Sequence, residues 1–153
     1  MEAVIFIGVQ ASGKSSFYRE TFFNTHLRIN LDMLRTRHRE EIFLKACIHS
    51  SQPFVVDNTN PLPADRLRYL VPAREAGFRL IAYFFDSTLQ GAIERNGLRP
   101  PKQRVPAPAI AATFKKIQPP SSEEGFDDIF TVQIKPDGKF AVSEGIRKSV
   151  APL

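Results

Sequence analysis

A glycine-rich stretch near the start of the chain constrains the fold most. Residues 8–16 read GVQASGKSS and follow the apolar run AVIFI at residues 3–7. Gly8, Gly13, Lys14 and Ser15 match G-x-x-x-x-G-K-[ST], a loop between a strand and a helix that binds phosphates. An apolar run without alternation is typical of a strand buried on both faces of a parallel sheet. The motif in this position therefore predicts an α/β fold with a phosphate loop.

This phosphate loop predicts a nucleotide site. Its backbone N–H groups can surround phosphate oxygens, and the N-terminus of the following helix adds positive charge. We expect Lys14 to bridge the β- and γ-phosphates of ATP and Ser15 to bind Mg²⁺. The predicted nucleotide-binding residues are Gly8, Ala11, Ser12, Gly13, Lys14, Ser15 and Ser16.

Further strands are predicted along the rest of the chain. They lie at residues 26–30, 53–57, 78–86 and 129–134, and helix-compatible sequence separates them. Strands that alternate with helices indicate an α/β fold, here a parallel five-stranded sheet flanked by helices. A length of 153 residues suits a single domain over residues 1–153.

Two helix boundaries are also predicted. Pro63 suits the first turn of a helix over about residues 64–76 that Gly77 ends, although Pro72 should kink or divide it. The segment STLQ at residues 87–90 resembles a capping box at the start of another helix.

Polar residues follow three of the predicted strands. Asn30 and Asp32, then Asp57, then Asp86 lie at strand ends, where open α/β sheets form their ligand crevice. Asp32 can orient an acceptor hydroxyl and take its proton, or it can be a helix N-cap. Asp57 can position Mg²⁺ through water, or it can cap the turn DNTN.

Arg35 lies three residues after Asp32. One helical turn of separation would place both side chains toward the same cavity, where Arg35 could bind a substrate phosphate. The alternative is that RTRHRE, residues 35–40, forms a solvated helix face.

These residues resemble the kinase module of the polynucleotide 5′-hydroxyl kinases. The resemblance rests on GVQASGKSS, on NLDMLR with its Asp-x-x-Arg, and on VVDNTNP at residues 55–61. Further along, ERNGLRP…RVPAPAI resembles the arginine lid of that family, and EEGFDDIFTV resembles its closing strand. The chain departs from the family in Gln10 and Ala11 of the loop, and it has no D-x-D-x-T phosphatase motif.

The resemblance implies a mechanism and a set of residues. Asp32 would be the general base, and Arg35 would contact the phosphate beside the 5′ end. Arg95 and Arg99 would bind the ATP phosphates from a lid at about residues 96–105. The alternative for these two arginines is a helix-end cation and an exposed loop charge.

Charge and cysteine content limit the partners and the compartment. The chain has 21 lysine and arginine residues against 16 acidic ones, a net charge of +5 that favours a polyanion such as nucleic acid, or simply gives a basic surface. Cys47 is the only cysteine, so no intrachain disulfide is expected. The apolar start is shorter than the ~20 residues of a membrane span. We therefore expect a cytoplasmic protein with no membrane segment.

Three functions remain open from the sequence. The first is an ATP- and Mg²⁺-dependent kinase that phosphorylates the 5′-hydroxyl end of DNA or RNA. The second is a kinase of a small metabolite or antibiotic that uses the same Asp32. The third is a nucleotide-binding module that hydrolyses ATP slowly without an acceptor.

Overall fold

The computed structural model describes residues 1–146, and the last seven residues of the predicted domain lie outside this part of the chain. Its strands are β1 (Glu2–Ile7), β2 (Leu27–Ile29), β3 (Phe54–Val56), β4 (Arg79–Phe85), β5 (Asp128–Ile134) and β6 (Phe140–Glu144). Its helices are α1 (Lys14–Thr21), α2 (Leu31–Leu34), α3 (Arg37–Ser50), α4 (Pro63–Glu75), α5 (Leu89–Gly97) and α6 (Ala107–Lys116). Short 3-10 helices lie at Pro101–Gln103 and Ser122–Glu124.

The strands form one sheet in the order β2-β3-β1-β4-β5-β6. The five predicted strands are confirmed, and they pair in parallel. The predicted number of strands is wrong, because β6 adds a sixth strand antiparallel to β5. This strand is partly exposed and lacks the continuous apolar run of β1, β3 and β4. The Asp137–Gly138 pair in the connecting turn, with Gly138 at a φ of 82°, is the sequence signal for this hairpin.

Both faces of the sheet are covered. Ala3, Ile5 and Ile7 of β1 pack on the side of α3 and α4, whereas Val4 and Phe6 pack on the side of α1. These five β1 side chains have no exposed surface, as expected for the centre of a parallel sheet. The phosphate loop therefore starts from a buried strand inside the sheet.

The boundaries of α4 follow the prediction. The helix begins at Pro63 and ends just before Gly77, which has a φ of 81°. The predicted division at Pro72 is wrong, because the helix is continuous to Glu75. Pro72 lies in its last turn, where the missing N–H removes a single helical hydrogen bond.

The start of α5 differs by one residue from the prediction. Thr88, not Ser87, is the N-cap, and its Oγ1 accepts a hydrogen bond of 3.0 Å from the Gly91 N–H. Ser87 is left free to contact Arg95.

Neither a membrane helix nor an exposed thiol is found in residues 1–146. No helix in this range is long and apolar enough to cross a bilayer. Cys47 is buried, and its burial raises the pKa of the thiol to about 11.

Candidate active site

The phosphate loop needs both of its motif glycines. A Cβ on Gly8 would lie 2.8 Å from both Phe85 Cβ and Ser12 Oγ. Gly13 has a φ of 97°, and a Cβ there would lie 2.9 Å from a ring carbon of Phe140. Ala11 also has a positive φ, 59°. The loop is thus tightly curled against β4 and the β5–β6 hairpin, as a backbone that surrounds phosphates requires.

Lys14 lies in the first turn of α1 with its ammonium group turned back on the loop. Its Nζ donates to the carbonyl oxygens of Gly8 at 2.9 Å and Val9 at 2.6 Å. Burial lowers the pKa of this ammonium to about 8. The charges of Asp57 and Asp32 act in the opposite direction, and the charge of Arg99 lowers the pKa further.

The serines of the predicted nucleotide site differ in their positions around Lys14. Ser12 is buried, and its Oγ accepts from Lys14 Nζ at 3.4 Å. Ser15 and Ser16 are exposed in the first turn of α1. All seven residues that the sequence predicts for nucleotide binding are therefore in one loop and helix start.

Ser15 and Asp57 lie together, as the prediction of a Mg²⁺ site requires. Ser15 Oγ donates a 2.9 Å hydrogen bond to Asp57 Oδ2, although the two residues lie 42 positions apart. Their hydroxyl and carboxylate oxygens are ligands that Mg²⁺ prefers, so the pair fits an ion bound by Ser15 and, through water, by Asp57. No group of three or more His, Cys, Asp or Glu side chains that could hold a metal is found among residues 1–146.

Arg28, which was not predicted from the sequence as a site residue, contacts both members of this pair. Its Nε donates to Asp57 Oδ2 at 2.8 Å, and its Nη2 donates to Ser15 Oγ at 3.0 Å. The available signal was a basic residue inside the otherwise apolar strand LRI. Only the position of β2 beside β3 shows what the guanidinium contacts.

Asp32 lies exposed in the first turn of α2, directly after β2. The interpretation of Asp32 as the helix N-cap is wrong, because Asn30 fills that position and its Oδ1 accepts from the Met33 N–H at 2.9 Å. The Asp32 carboxylate is therefore not used to cap the helix, and its charge acts on Lys14.

Two asparagines hold α2 on the end of the sheet. The side chain of Asn30 donates to the Asp57 carbonyl at 2.6 Å. Asn58 Oδ1 accepts from the Leu31 N–H at 2.9 Å, and Asn58 Nδ2 donates to Glu40 Oε2 at 3.0 Å. Glu40 is buried and also accepts from the Tyr69 hydroxyl. The helix that carries Asp32 is thus attached to β3, α3 and α4.

Arg35 is not one turn further along the same helix. It is the C-cap of α2 with a φ of 78°, and α3 starts two residues later after its N-cap Thr36. The break turns the chain at Arg35, whose side chain is exposed. The structure therefore places Arg35 on a turn rather than on a helix face.

The two predicted lid arginines differ in their surroundings. Arg95 lies in the last turn of α5, with Nε donating to the Ala11 carbonyl at 2.6 Å and Nη2 to Ser87 Oγ at 2.5 Å. Burial lowers the pKa of this guanidinium. Arg99 follows α5 and is half-buried, and its backbone carbonyl accepts from Arg104 Nε at 2.8 Å. Arg95 thus contacts the phosphate loop directly, whereas the charge of Arg99 is one cause of the lowered pKa of Lys14.

The third strand-end carboxylate, Asp86, has a separate partner. Asp86 Oδ2 accepts from Gln133 Nε2 at 3.1 Å. Asp86 lines a cavity of about 210 Å³ with Val9, Phe114 and Ile117. Ser15 and Asp57 do not line this cavity and are hydrogen-bonded to each other.

The fold and the site together define a phosphate-loop kinase fold. Two solved structures share this fold. A gluconokinase from Sinorhizobium meliloti is 17% identical with a TM-score of 0.60, over 86% of this chain and 82% of the other. Kti12 of Chaetomium thermophilum in complex with ADP-AlF3 is 13% identical with a TM-score of 0.67, over 89% and 92%.

One curated relative is similar in sequence. The chain is 27% identical over 141 residues to the bifunctional polynucleotide phosphatase/kinase of Schizosaccharomyces pombe. The alignment covers 88% of this chain and 34% of the relative. No protein-family model matches the chain. The chain spans about a third of the length of this curated relative, and the two solved structures show the fold.

Proposed function

We propose that this chain is an ATP- and Mg²⁺-dependent kinase that transfers the γ-phosphate to the 5′-hydroxyl end of DNA or RNA. One observation carries the proposal: Asn30 fixes the start of α2, which bears Asp32, to the Asp57 carbonyl beside the phosphate loop, and Arg95 donates to the Ala11 carbonyl of that loop. A proton acceptor, a phosphate-binding cation and the phosphate loop therefore converge on one place.

In this proposal each residue has a defined task. Lys14 moves from the Gly8 and Val9 carbonyls to the β- and γ-phosphates, whose charge compensates for its burial. Asp32 orients the acceptor hydroxyl and takes its proton, which makes the oxygen a better nucleophile. Arg95 and Arg99 bind the charge that develops on the transferred group.

The metal site belongs to the same proposal. Ser15 would bind Mg²⁺ directly and Asp57 through water, and the ion would neutralise phosphate charge and hold the phosphates in place. The Asp57 carboxylate is buried, so its position depends little on solvent.

Two observations support a polynucleotide as the acceptor. The curated relative is a polynucleotide phosphatase/kinase. In addition, three exposed arginines, Arg35, Arg37 and Arg39, follow α2 in the chain, of which Arg37 pairs with Glu40. In the proposal Arg35 binds the phosphate next to the reacting 5′ end, and the net charge of +5 attracts the rest of the strand.

A small-molecule acceptor is the second candidate, and the shared fold with the gluconokinase favours it. The same Asp32 would activate a hydroxyl of an acidic metabolite held by Arg35. Salt separates the two candidates, since several phosphate contacts make polynucleotide binding fall steeply with salt and a single metabolite anion does not.

The test is transfer of label from γ-labelled ATP with Mg²⁺ to DNA and RNA oligonucleotides that carry a 5′-hydroxyl. We expect labelling of free 5′-hydroxyl ends only, with oligonucleotides already phosphorylated at the 5′ end as the control, and a rise of KM with salt. ATP binding without any labelled oligonucleotide would contradict the proposal. Labelling of gluconate or another acidic metabolite would then establish the second candidate.

The pH dependence of ATP binding tests the position of Lys14. The pKa of this ammonium is about 8 in the protein alone, and bound phosphates raise it. ATP affinity should therefore change little between pH 7 and 8, where the terminal phosphate is ionised, and fall by up to about tenfold per pH unit above pH 8, because binding then requires uptake of a proton. Titration calorimetry with a non-hydrolysable ATP analogue in buffers of different ionisation enthalpy measures both effects.

The control for the pH experiment is Lys14→Arg. A guanidinium stays charged between pH 7 and 10. The ATP affinity of the arginine variant, whether strong or weak, should therefore not change with pH in this range. An unchanged affinity of the wild-type protein over the same range would show that Lys14 does not lose its proton near pH 8.

A further inference from the structure

Arg28, Ser15 and Asp57 form a closed triangle at the base of the phosphate loop. The Arg28 guanidinium donates to Ser15 Oγ and to Asp57 Oδ2, and Ser15 Oγ donates to the same Asp57 oxygen. The three distances are 3.0, 2.8 and 2.9 Å. Arg28 is thus bonded to the two oxygens proposed above to hold Mg²⁺.

The Asp57 side chain is only 1% exposed. A buried carboxylate needs a positive partner, because its desolvation otherwise costs several kcal/mol. Arg28 supplies that partner in this structure. A divalent ion bound beside Ser15 and Asp57 would need the same oxygen lone pairs and the same negative charge.

The Arg28 side chain is able to leave this position. It is 26% exposed, so its guanidinium reaches solvent without unfolding of β2. Its Cζ also lies 5.9 Å from the ring centroid of Tyr18, a face that can hold a cation. The guanidinium therefore already lies beside this ring, which can still hold the cation when the hydrogen bonds to Ser15 and Asp57 break.

Resting on the proposed function, we propose that Arg28 is a positioning residue that competes with Mg²⁺ for Ser15 and Asp57. Without nucleotide it neutralises Asp57 and keeps Ser15 oriented. Binding of the metal with the nucleotide displaces its guanidinium from both oxygens. The affinity for the metal is consequently reduced by the free energy of the Arg28 contacts.

The test measures metal affinity rather than activity. Mn²⁺, which is followed by its paramagnetic resonance signal, is titrated into the protein with saturating ADP. We expect Arg28→Gln to lower the Kd for Mn²⁺ by about tenfold, the size of one charge-assisted hydrogen bond. The matched control Arg19→Gln, an exposed arginine on α1, should leave the Kd unchanged.

A double substitution separates competition from a structural effect. Removal of the negative charge in Asp57→Asn removes the main partner of Arg28. Adding Arg28→Gln to that variant should then change the Kd for Mn²⁺ little. An equal improvement in both backgrounds would show that Arg28 does not act through Asp57.

Arg28→Lys provides a second variant if Arg28→Gln does not fold. A lysine keeps the charge but lacks the two-pronged geometry, so its Kd for Mn²⁺ should lie between those of the wild type and the glutamine variant. Unchanged or weaker metal binding in a folded Arg28 variant would overturn the proposal.

The experiment also distinguishes the two proposals. Mn²⁺ and ADP bind without any acceptor, so failure of oligonucleotide labelling leaves the role of Arg28 intact. Normal labelling with an unchanged Kd for Mn²⁺ would reject only the role of Arg28. Absence of Mn²⁺ and ADP binding in the wild type would reject both.

Discussion

Replacement of Asp32 by asparagine is expected to slow phosphate transfer by about 10²- to 10⁴-fold and to leave nucleotide affinity nearly unchanged. The amide has the same size but cannot accept the proton of the acceptor hydroxyl. The helix should persist, because Asn30 and Asn58 hold α2 and Asp32 contributes no cap. Single-turnover transfer to an oligonucleotide and calorimetric binding of ADP measure the two quantities separately.

The matched control is Glu41→Gln, since Glu41 is exposed on α3 and pairs with Lys45. This variant should transfer phosphate to the oligonucleotide at the wild-type rate. Retained transfer in Asp32→Asn would reject Asp32 as the base. An ATP hydrolysis rate that is the same in wild type and variant, without transfer to any acceptor, would instead support a nucleotide-binding module.

Replacement of Arg66 by methionine is expected to lower the free energy of unfolding by about 3–5 kcal/mol. The Arg66 side chain has no exposed surface, and its Nη1 lies 2.9 Å from each carboxylate oxygen of Glu124. Its other nitrogens donate to the carbonyls of Asn60, Pro61 and Gln118. Methionine would leave a nearly buried carboxylate and three carbonyl oxygens without this donor. Urea denaturation measures the loss.

Arg74→Met on the same helix is the control for Arg66. The Arg74 guanidinium donates to the backbone carbonyl of Glu124. Because Arg74 is exposed, its replacement should lower the free energy of unfolding by about 1 kcal/mol or less. Equal losses in the two variants would contradict the burial argument. A second substitution, Glu124→Leu, should recover part of the stability of Arg66→Met, because it removes the unpaired charge.

The five parallel strands and the phosphate loop could be predicted because their signals are local. A continuous apolar run is needed for a strand that is buried on both faces, and the glycines at positions 8 and 13 are needed where a Cβ would clash. The strand β6 was not predicted because it lies at the edge of the sheet and its residues are only partly buried or exposed. A partly exposed edge strand carries no long apolar run.

The contacts of the site were harder to predict than its members. Lys14, Ser15, Asp32 and Asp57 were named from the sequence, whereas Arg28 was missed. Its partners come from the end of β3 and the start of α1, 29 and 13 positions away. Arg66 was missed for the same reason, since a helix pattern does not reveal that one arginine is buried against segments 5 to 58 residues distant.

The contact between Gly13 and the β5–β6 hairpin has a consequence for synthesis of the protein. Ile134 and Phe140 lie close enough to clash with any side chain at position 13. The β5–β6 hairpin therefore packs directly against the phosphate loop at Gly13. The loop leaves the ribosome more than a hundred residues before that hairpin. A nascent chain therefore carries the complete motif for most of its translation without these two contacts, which form only when residues 134–140 have emerged.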